Sequence, residues 1–336
     1  MKTTKVITLF LALTFILSLA LTGCSTTSST GSAAPAATTA ATTAAPAATT
    51  AATTAAPAAT TAATTTDSTS APTSASAATT SGQPTVINVG YAQNGKPNAY
   101  IDDNGNLTGY DIEALKLVNS LLPQYKFNYI GLDQTAVFAG LATGKYQIAA
   151  TNSFWTQDRA DKYLFPSENL GASILGIFTN KAKYADVKTL ADAATKKLNL
   201  TPILSGDGLY YVVDQYNKAN PNNQVKLTAT DAPSAGTEAF QWVAEGRYDF
   251  AVFPQQYWDI LAKDEKGDFH KYYDQLSFHT FGAVKTWSIL AKGEDKLAAD
   301  ISGALKQLKA EGKLSELSKK FYAGVDNFSY LPADAK

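Results

Sequence analysis

Few residues in this 336-residue chain have the types and spacing to do chemistry. It has one cysteine, Cys24, and two histidines, His270 and His279. Neither histidine belongs to an H-x-x-x-H metal spacing, and no G-x-S-x-G elbow or G-x-x-x-x-G-K-[ST] loop occurs. What remains suits recognition better than bond-breaking. Arg159 closes the segment Thr156-Gln157-Asp158-Arg159, and a guanidinium fork matches the two oxygens of a carboxylate. Gly206-Asp207-Gly208 lies between a strand pattern and a helix pattern, where backbone N–H groups can approach an anion.

Cys24 reports on location. It ends the run Leu21-Thr22-Gly23-Cys24, behind the apolar stretch Val6–Leu21 and the basic pair Lys2 and Lys5. That is the layout of a secretory signal. Leu-Thr-Gly-Cys resembles the lipobox of bacterial lipoproteins, which implies cleavage before Cys24 and lipidation of its thiol. An uncleaved anchor is the alternative, with an apolar run at the short limit for spanning a bilayer. The expectation is a signal peptide over 1–23 and an extracytoplasmic protein tethered by lipid to the cell membrane. No thiol is then left for disulfides or catalysis.

Residues 24–83 predict a tether. Ala33–Thr65 is three copies of AAPAATTAATT, with Ser, Thr, Ala and Gly flanks. Such composition has no apolar surface to offset the entropy of ordering. As a coil, ~60 such residues span roughly 45 Å.

From Pro84 the composition is that of a globular protein. Lys and Arg total 28 against 29 Asp and Glu, a net charge of −1. With no basic stripe among the aromatics, nucleic acid is not an expected partner. Strand and helix patterns alternate. Val86–Gly90, Phe127–Ile130 and Gln147–Ala150 read as strands; Asp111–Leu122 and Gln134–Thr143 read as helices. The rhythm restarts with strands Thr201–Leu204, Val225–Leu227 and Asp249–Phe253 and helices Leu209–Ala219 and Pro233–Glu245. Helices Lys296–Ala310 and Leu314–Phe321 close the chain, split at Gly312. This order predicts an α/β fold with mostly parallel strands. Two lobes facing a shared cleft explain it better than one large sheet; a continuous single sheet or a single crossing between lobes would overturn that expectation.

Several segments then fall into one order: Gly109-Tyr110-Asp111-Ile112-Glu113, Gly144-Lys145-Tyr146, Thr156-Gln157-Asp158-Arg159-Ala160, Lys162-Tyr163-Leu164-Phe165-Pro166, Gly206-Asp207-Gly208, Glu245-Gly246-Arg247-Tyr248-Asp249 and Gly312-Lys313-Leu314. Over Pro84–Gly324 this resembles the polar-amino-acid family of solute-binding proteins that serve ABC importers. The resemblance implies a two-lobed, type II periplasmic-binding-protein-like fold with two hinge-crossing strands. Lobe 1 would comprise 84–171 and 287–336, and lobe 2 would comprise 172–286. It further implies capture of an amino acid or related small carboxylate by hinge closure, delivery to a permease and ATPase, a monomer, no metal and no cofactor.

By that resemblance Arg159 pairs with the ligand carboxylate; the alternative is a surface arginine paired with Asp158 or Asp161. Asn152, Phe154 and Thr156 form the turn before it. Phe154 stands where relatives have a hydroxyl, and Thr156 reads better as a helix cap than as a contact. Phe154 and Trp155 suit either a ligand or the core. Asp207 beside Gly208 would repel an anion, so it either caps the helix or meets a ligand amine. Pro254 stands where many relatives carry an ammonium-binding aspartate, followed by Gln255 and Gln256. Asn94 and Gln134 fall on further contact positions. These departures imply a ligand that depends less than usual on a free α-amine. A ligand-sensing module and a secreted lyase on the same fold are the alternatives; an enzyme is not expected.

Overall fold

A computed structural model describes residues 82–93, 95–232 and 235–333. The signal, Cys24, the tether up to residue 81 and Asn94 lie outside the described residues. Strand β1, Thr85–Ala92, leads into a short hairpin of β2, Tyr100–Ile101, and β3, Leu107–Thr108. Helix α1, Tyr110–Leu121, strand β4, Tyr125–Leu132, helix α2, Gln134–Ala142, and strand β5, Ile148–Phe154, follow. Helix α3, Gln157–Lys162, precedes the long strand β6, Gly171–Asn180. Then come α4, Lys181–Tyr184, α5, Leu190–Thr195, β7, Ile203–Leu204, α6, Gly208–Ala219, and β8, Ala229–Thr230. Helix α7, Ala235–Ala244, strand β9, Phe250–Pro254, and helix α8, Gln255–Trp258, lead to the longest strand, β10, Leu276–Leu290. Helices α9, Asp295–Ala310, and α10, Lys313–Phe321, end the fold.

Most expected elements are present within a few residues of their expected bounds. Val225–Leu227 is not a strand; Lys226 makes only an isolated bridge to Asn199, and the pairing strand is β8 beside β7. The main sheet is mixed rather than mostly parallel. β1 runs parallel to β4 and β5, whereas β10 runs antiparallel to β5 and β6, and β6 antiparallel to β9. The cause is β6 and β10, which cross the molecule in opposite directions and pair from Gly171 with Thr286 to Asn180 with Leu276.

That pairing also makes one continuous ladder, β4-β1-β5-β10-β6-β9, where the sequence reading set a continuous sheet against two lobes. The cores are nevertheless divided. Val89, Ile112, Leu115, Val118 and Ile148 pack with Ile301 and Leu305 of α9 on one face of β1 and β5. Val137, Leu141, Ala149 and Ile289 fill the other face. At the opposite end of the sheet, strand alternation separates two clusters: Ile177, Phe250 and Val252 on one face, Phe178, Ala251 and Phe253 on the other. Phe178 stacks on Phe240 with ring centroids 4.8 Å apart. Each fully buried side chain of this size contributes about 1.5–3 kcal/mol.

Gly109 shows how a motif shapes the fold. Its φ is 117°, and a Cβ there would collide with the carbonyl of Asn98. Only glycine lets the loop after β1 press onto the start of α1.

Candidate functional site

A cavity of about 1300 Å³ opens between the ends of β5, β7 and β9 and the start of α2. Its wall is built by turns. β5 ends in Asn152, Ser153 and Phe154, then Thr156 starts α3 by accepting the Arg159 N–H at 3.1 Å. Thr156 is 5 % exposed and absent from the cavity wall, so it is a cap. Such a cap contributes about 1 kcal/mol. One turn later, half-buried Arg159 lines the cavity. Its Nη1 donates to the Phe154 carbonyl at 3.0 Å, and its guanidinium lies 5.5 Å from the Phe138 ring centroid. Arg159 makes no ion pair among the described residues: Asp158 pairs instead with Lys162 at 2.8 Å, and Asp161 accepts from Gln157. Burial lowers the Arg159 pKa against the opposing charges of Asp207 and Asp158. The rest of its fork is available to a carboxylate.

The facing wall begins at Asp207, which caps α6 by accepting the Leu209 N–H at 2.7 Å. Burial raises its carboxyl pKa, partly offset by that N–H and by the charge of Arg159. Gly208 follows, and the space before it is taken. A Cβ there would sit 2.5 Å from the Phe154 ring. The close approach that this glycine permits is therefore to Phe154. Trp155 extends the contact, meeting Tyr211 of α6 edge-on at 5.9 Å.

Gln134 stands exposed on the wall at the start of α2, which Asp133 caps. Gln255 does not face the cavity. It lines a separate groove of about 510 Å³ with Lys181, Asp259 and His279, and it approaches Asp259 at 3.5 Å. The first turn of α8 rotates Gln255 outward, Gln256 inward to the crossing strands and Tyr257 onto the cavity wall. His270 and His279 each bond a backbone carbonyl, of Ala262 and Ala185, outside the cavity.

Sequence reasoning missed a buried polar network behind the wall. Asp111, fully buried in the first turn of α1, accepts the Asn152 N–H at 2.7 Å. Asn152 has φ 46° and reaches Ser173 Oγ of β6 at 3.3 Å, while Gln256 reaches the same hydroxyl at 2.9 Å. Three acceptor oxygens here, Asp111 Oδ1, Asn152 Oδ1 and Gln256 Oε1, find no partner among the described residues. Burial pushes the Asp111 carboxyl up to about 7. Alongside, Asn98 donates to the Tyr257 hydroxyl at 3.0 Å and accepts from Tyr322 at 2.7 Å. Burial, with the charge of Asp111, pushes Tyr257 up to about 12. The sequence signal available was an aspartate within Gly109-Tyr110-Asp111, next to apolar Ile112.

The profile of the bacterial extracellular solute-binding proteins, family 3, matches residues 87–324. The L-cystine-binding protein TcyA of Bacillus subtilis (strain 168) is 29% identical over 240 residues, covering 70% of this chain and 81% of that protein. The L-cystine-binding protein TcyJ of the same organism is 26% identical over 231 residues, 68% and 81% of the two chains. A solved structure from work on glutathione import via GshT and the cystine ABC importer TcyBC of Streptococcus mutans is also similar. It has a TM-score of 0.57 at 28% identity and covers 74% of this chain and 98% of that one. The probable amino-acid ABC transporter extracellular-binding protein ytmK of Bacillus subtilis matches at 0.57 and 22% identity, covering 71% and 98%, which speaks to fold alone. The fold is that of the type II periplasmic binding proteins.

Proposed function

The chain belongs to the bacterial extracellular solute-binding proteins, family 3, and from that premise we propose that it captures an amino acid or related small carboxylate by hinge closure. It is an extracytoplasmic solute-binding protein of an ABC importer, not an enzyme. Lipidated Cys24 anchors it, residues 24–83 hold it off the membrane, and it works as a monomer.

Lobe 1 comprises 84–171 and 287–336, and lobe 2 comprises 172–286. The divided cores support this division. The continuous ladder is the outcome that was set against two lobes, but only the β6–β10 pair and its neighbours carry the pairing across. Those two strands form the hinge. Contacts of Phe154 with Gly208, Trp155 with Tyr211 and Asn98 with Tyr257 close the cleft. A ligand that touches both sides favours closure by its greater affinity for the closed form.

The observation that carries the reading is Arg159, half-buried in the cavity wall with no ion pair. Asn152, Phe154, Asp207, Gly208 and Gln134 shape the rest of the site, and Gln255 and Thr156 are not contacts. L-cystine and glutathione, named with the relatives, are the first ligands to test. Titration calorimetry of the full chain should find a tight carboxylate ligand. Arg159→Ala should weaken its binding by about 2–5 kcal/mol, chiefly through faster dissociation. Undiminished binding by Arg159→Ala would remove the carboxylate clamp.

A further inference from the structure

Resting on the solute-binding reading above, we propose that Asp207 receives the ligand's ammonium group opposite Arg159, so that the ligand class carries a free α-amino-acid head, in place of the weaker dependence on an α-amine expected from the sequence. The end of β9 offers no carboxylate, since Pro254 stands there and Gln255 turns outward. A buried ammonium without a carboxylate partner is expensive, so another acid must serve.

Six aspartates line the cavity: Asp133, Asp158, Asp207, Asp231, Asp264 and Asp268. All except Asp207 are exposed, and Asp158 is already paired with Lys162. A desolvated carboxylate attracts a cation far more strongly than one in water. Asp207 is also half-free. Its Oδ1 caps α6 through the Leu209 N–H, and its Oδ2 has no hydrogen bond among the described residues. The two roles left open by the sequence, cap and amine partner, are thus compatible, one for each oxygen.

Arg159 supplies the other half. It and Asp207 carry opposite charges on one cavity, each is desolvated, and each acts on the other's titration without forming an ion pair. A zwitterion between them gives each a partner at once: carboxylate to Arg159, ammonium to Asp207 Oδ2. Phe154 enforces this orientation. Its ring covers Gly208, keeping the carboxylate from the α6 N-terminus and leaving it to Arg159. Beyond the head, Pro254, Tyr257 and Ile260 form the wall along which the ligand's remainder runs.

Protonation opposes this contact. Arg159 of α3 and Tyr257 of α8 act on Asp207, and Asp158 and Lys162 of α3, Tyr163 beside it, Lys96, Asp133, Asp231, Asp264, Lys266 and Asp268 line the same cavity. Burial raises the Asp207 pKa, so ammonium binding weakens on acidification at a higher pH than an ordinary carboxylate would require.

The test uses the full chain, wild type, Asp207→Asn and Asp207→Ser; both substitutions keep a good helix cap. Calorimetry compares L-cystine, L-glutamine and glutathione with their N-acetylated forms between pH 4 and 8. The expected result is loss of at least about tenfold in affinity for the best free amino acid in both variants. The preference over the N-acetylated form and the acid-side weakening should disappear with it. Wild-type binding that ignores N-acetylation, or variants that bind as wild type does, overturns the assignment of Asp207 and leaves the solute-binding reading standing. Failure of every probe to bind wild type overturns both.

Discussion

The backbone N–H of Asn152 donates to the carboxyl of Asp111 across 2.7 Å, joining the first turn of α1 to the cavity wall. Asn152 is held at φ 46°, a left-handed conformation that asparagine tolerates better than most residues. Near that bond stand the phenols Tyr110, Tyr257 and Tyr322, each raised first by burial and then by the charge of Asp111. A proton on Asp111 removes that charge and gives one of the three orphan oxygens a donor.

The Asp111 carboxyl therefore predicts a particular pH dependence of stability. Its folded-state pKa of about 7 lies above the ordinary carboxylate value of 3.8. The folded state holds the proton more tightly, so stability from this group is complete below about pH 4 and is lost as pH rises through 7. Asp111→Asn, a neutral isostere, should fold, and its melting temperature relative to wild type should rise between pH 4 and 7 and level off above. Asp111→Ala leaves the Asn152 N–H without its acceptor, a cost of about 1–3 kcal/mol relative to Asp111→Asn at all pH values. Parallel melting profiles for wild type and Asp111→Asn would contradict the assignment.

Phe154 and Gly208 make a second, independent prediction. Gly208→Ala places a methyl group 2.5 Å from the Phe154 ring, and such overpacking costs about 1–3 kcal/mol where the ring cannot move. Phe154→Ala in the same chain should recover part of that loss. A double-mutant cycle in thermal denaturation and in ligand affinity reads the coupling. Additive effects would mean that the two residues do not meet in solution.

Cys24 makes the third. Cys24→Ala should abolish lipid attachment and shift the protein from the membrane to the soluble fraction of expressing bacteria. Ligand affinity of the soluble form should equal that of the anchored protein. Retention of the variant in the membrane would favour the uncleaved-anchor reading of Val6–Leu21.

The binding wall was legible only where chemistry and local spacing coincide. Thr156 and Arg159 lie three residues apart, and a helix start places one as cap and the other a turn along, whatever the rest of the fold does. Asp111 has the same local signature as any acid in a helix's first turn, where it complements the dipole and usually meets solvent. Its burial comes from partners distant in sequence: Asn152 on β5 and the phenols of Tyr257 and Tyr322. Gln255 and Gln256 are alike in type, and one residue of helical rotation sends one to the outer groove and the other to the hinge.

By itself the sequence determined the class of this protein. Its alternating periods specify α/β layers, its ordered short motifs specify the family, and Leu21-Thr22-Gly23-Cys24 with the repeats behind it carries the expectation of an exported, tethered design. Tertiary structure alone decided the strand directions, the one-sided use of Asp207 as a cap, and the filling of the space before Gly208 by Phe154. The physical reason is range. Periodicity, capping and turn chemistry act within a few residues and can be read locally. Burial, desolvation and charge balance depend on which distant segments the two crossing strands bring together, and these set what the cavity can bind.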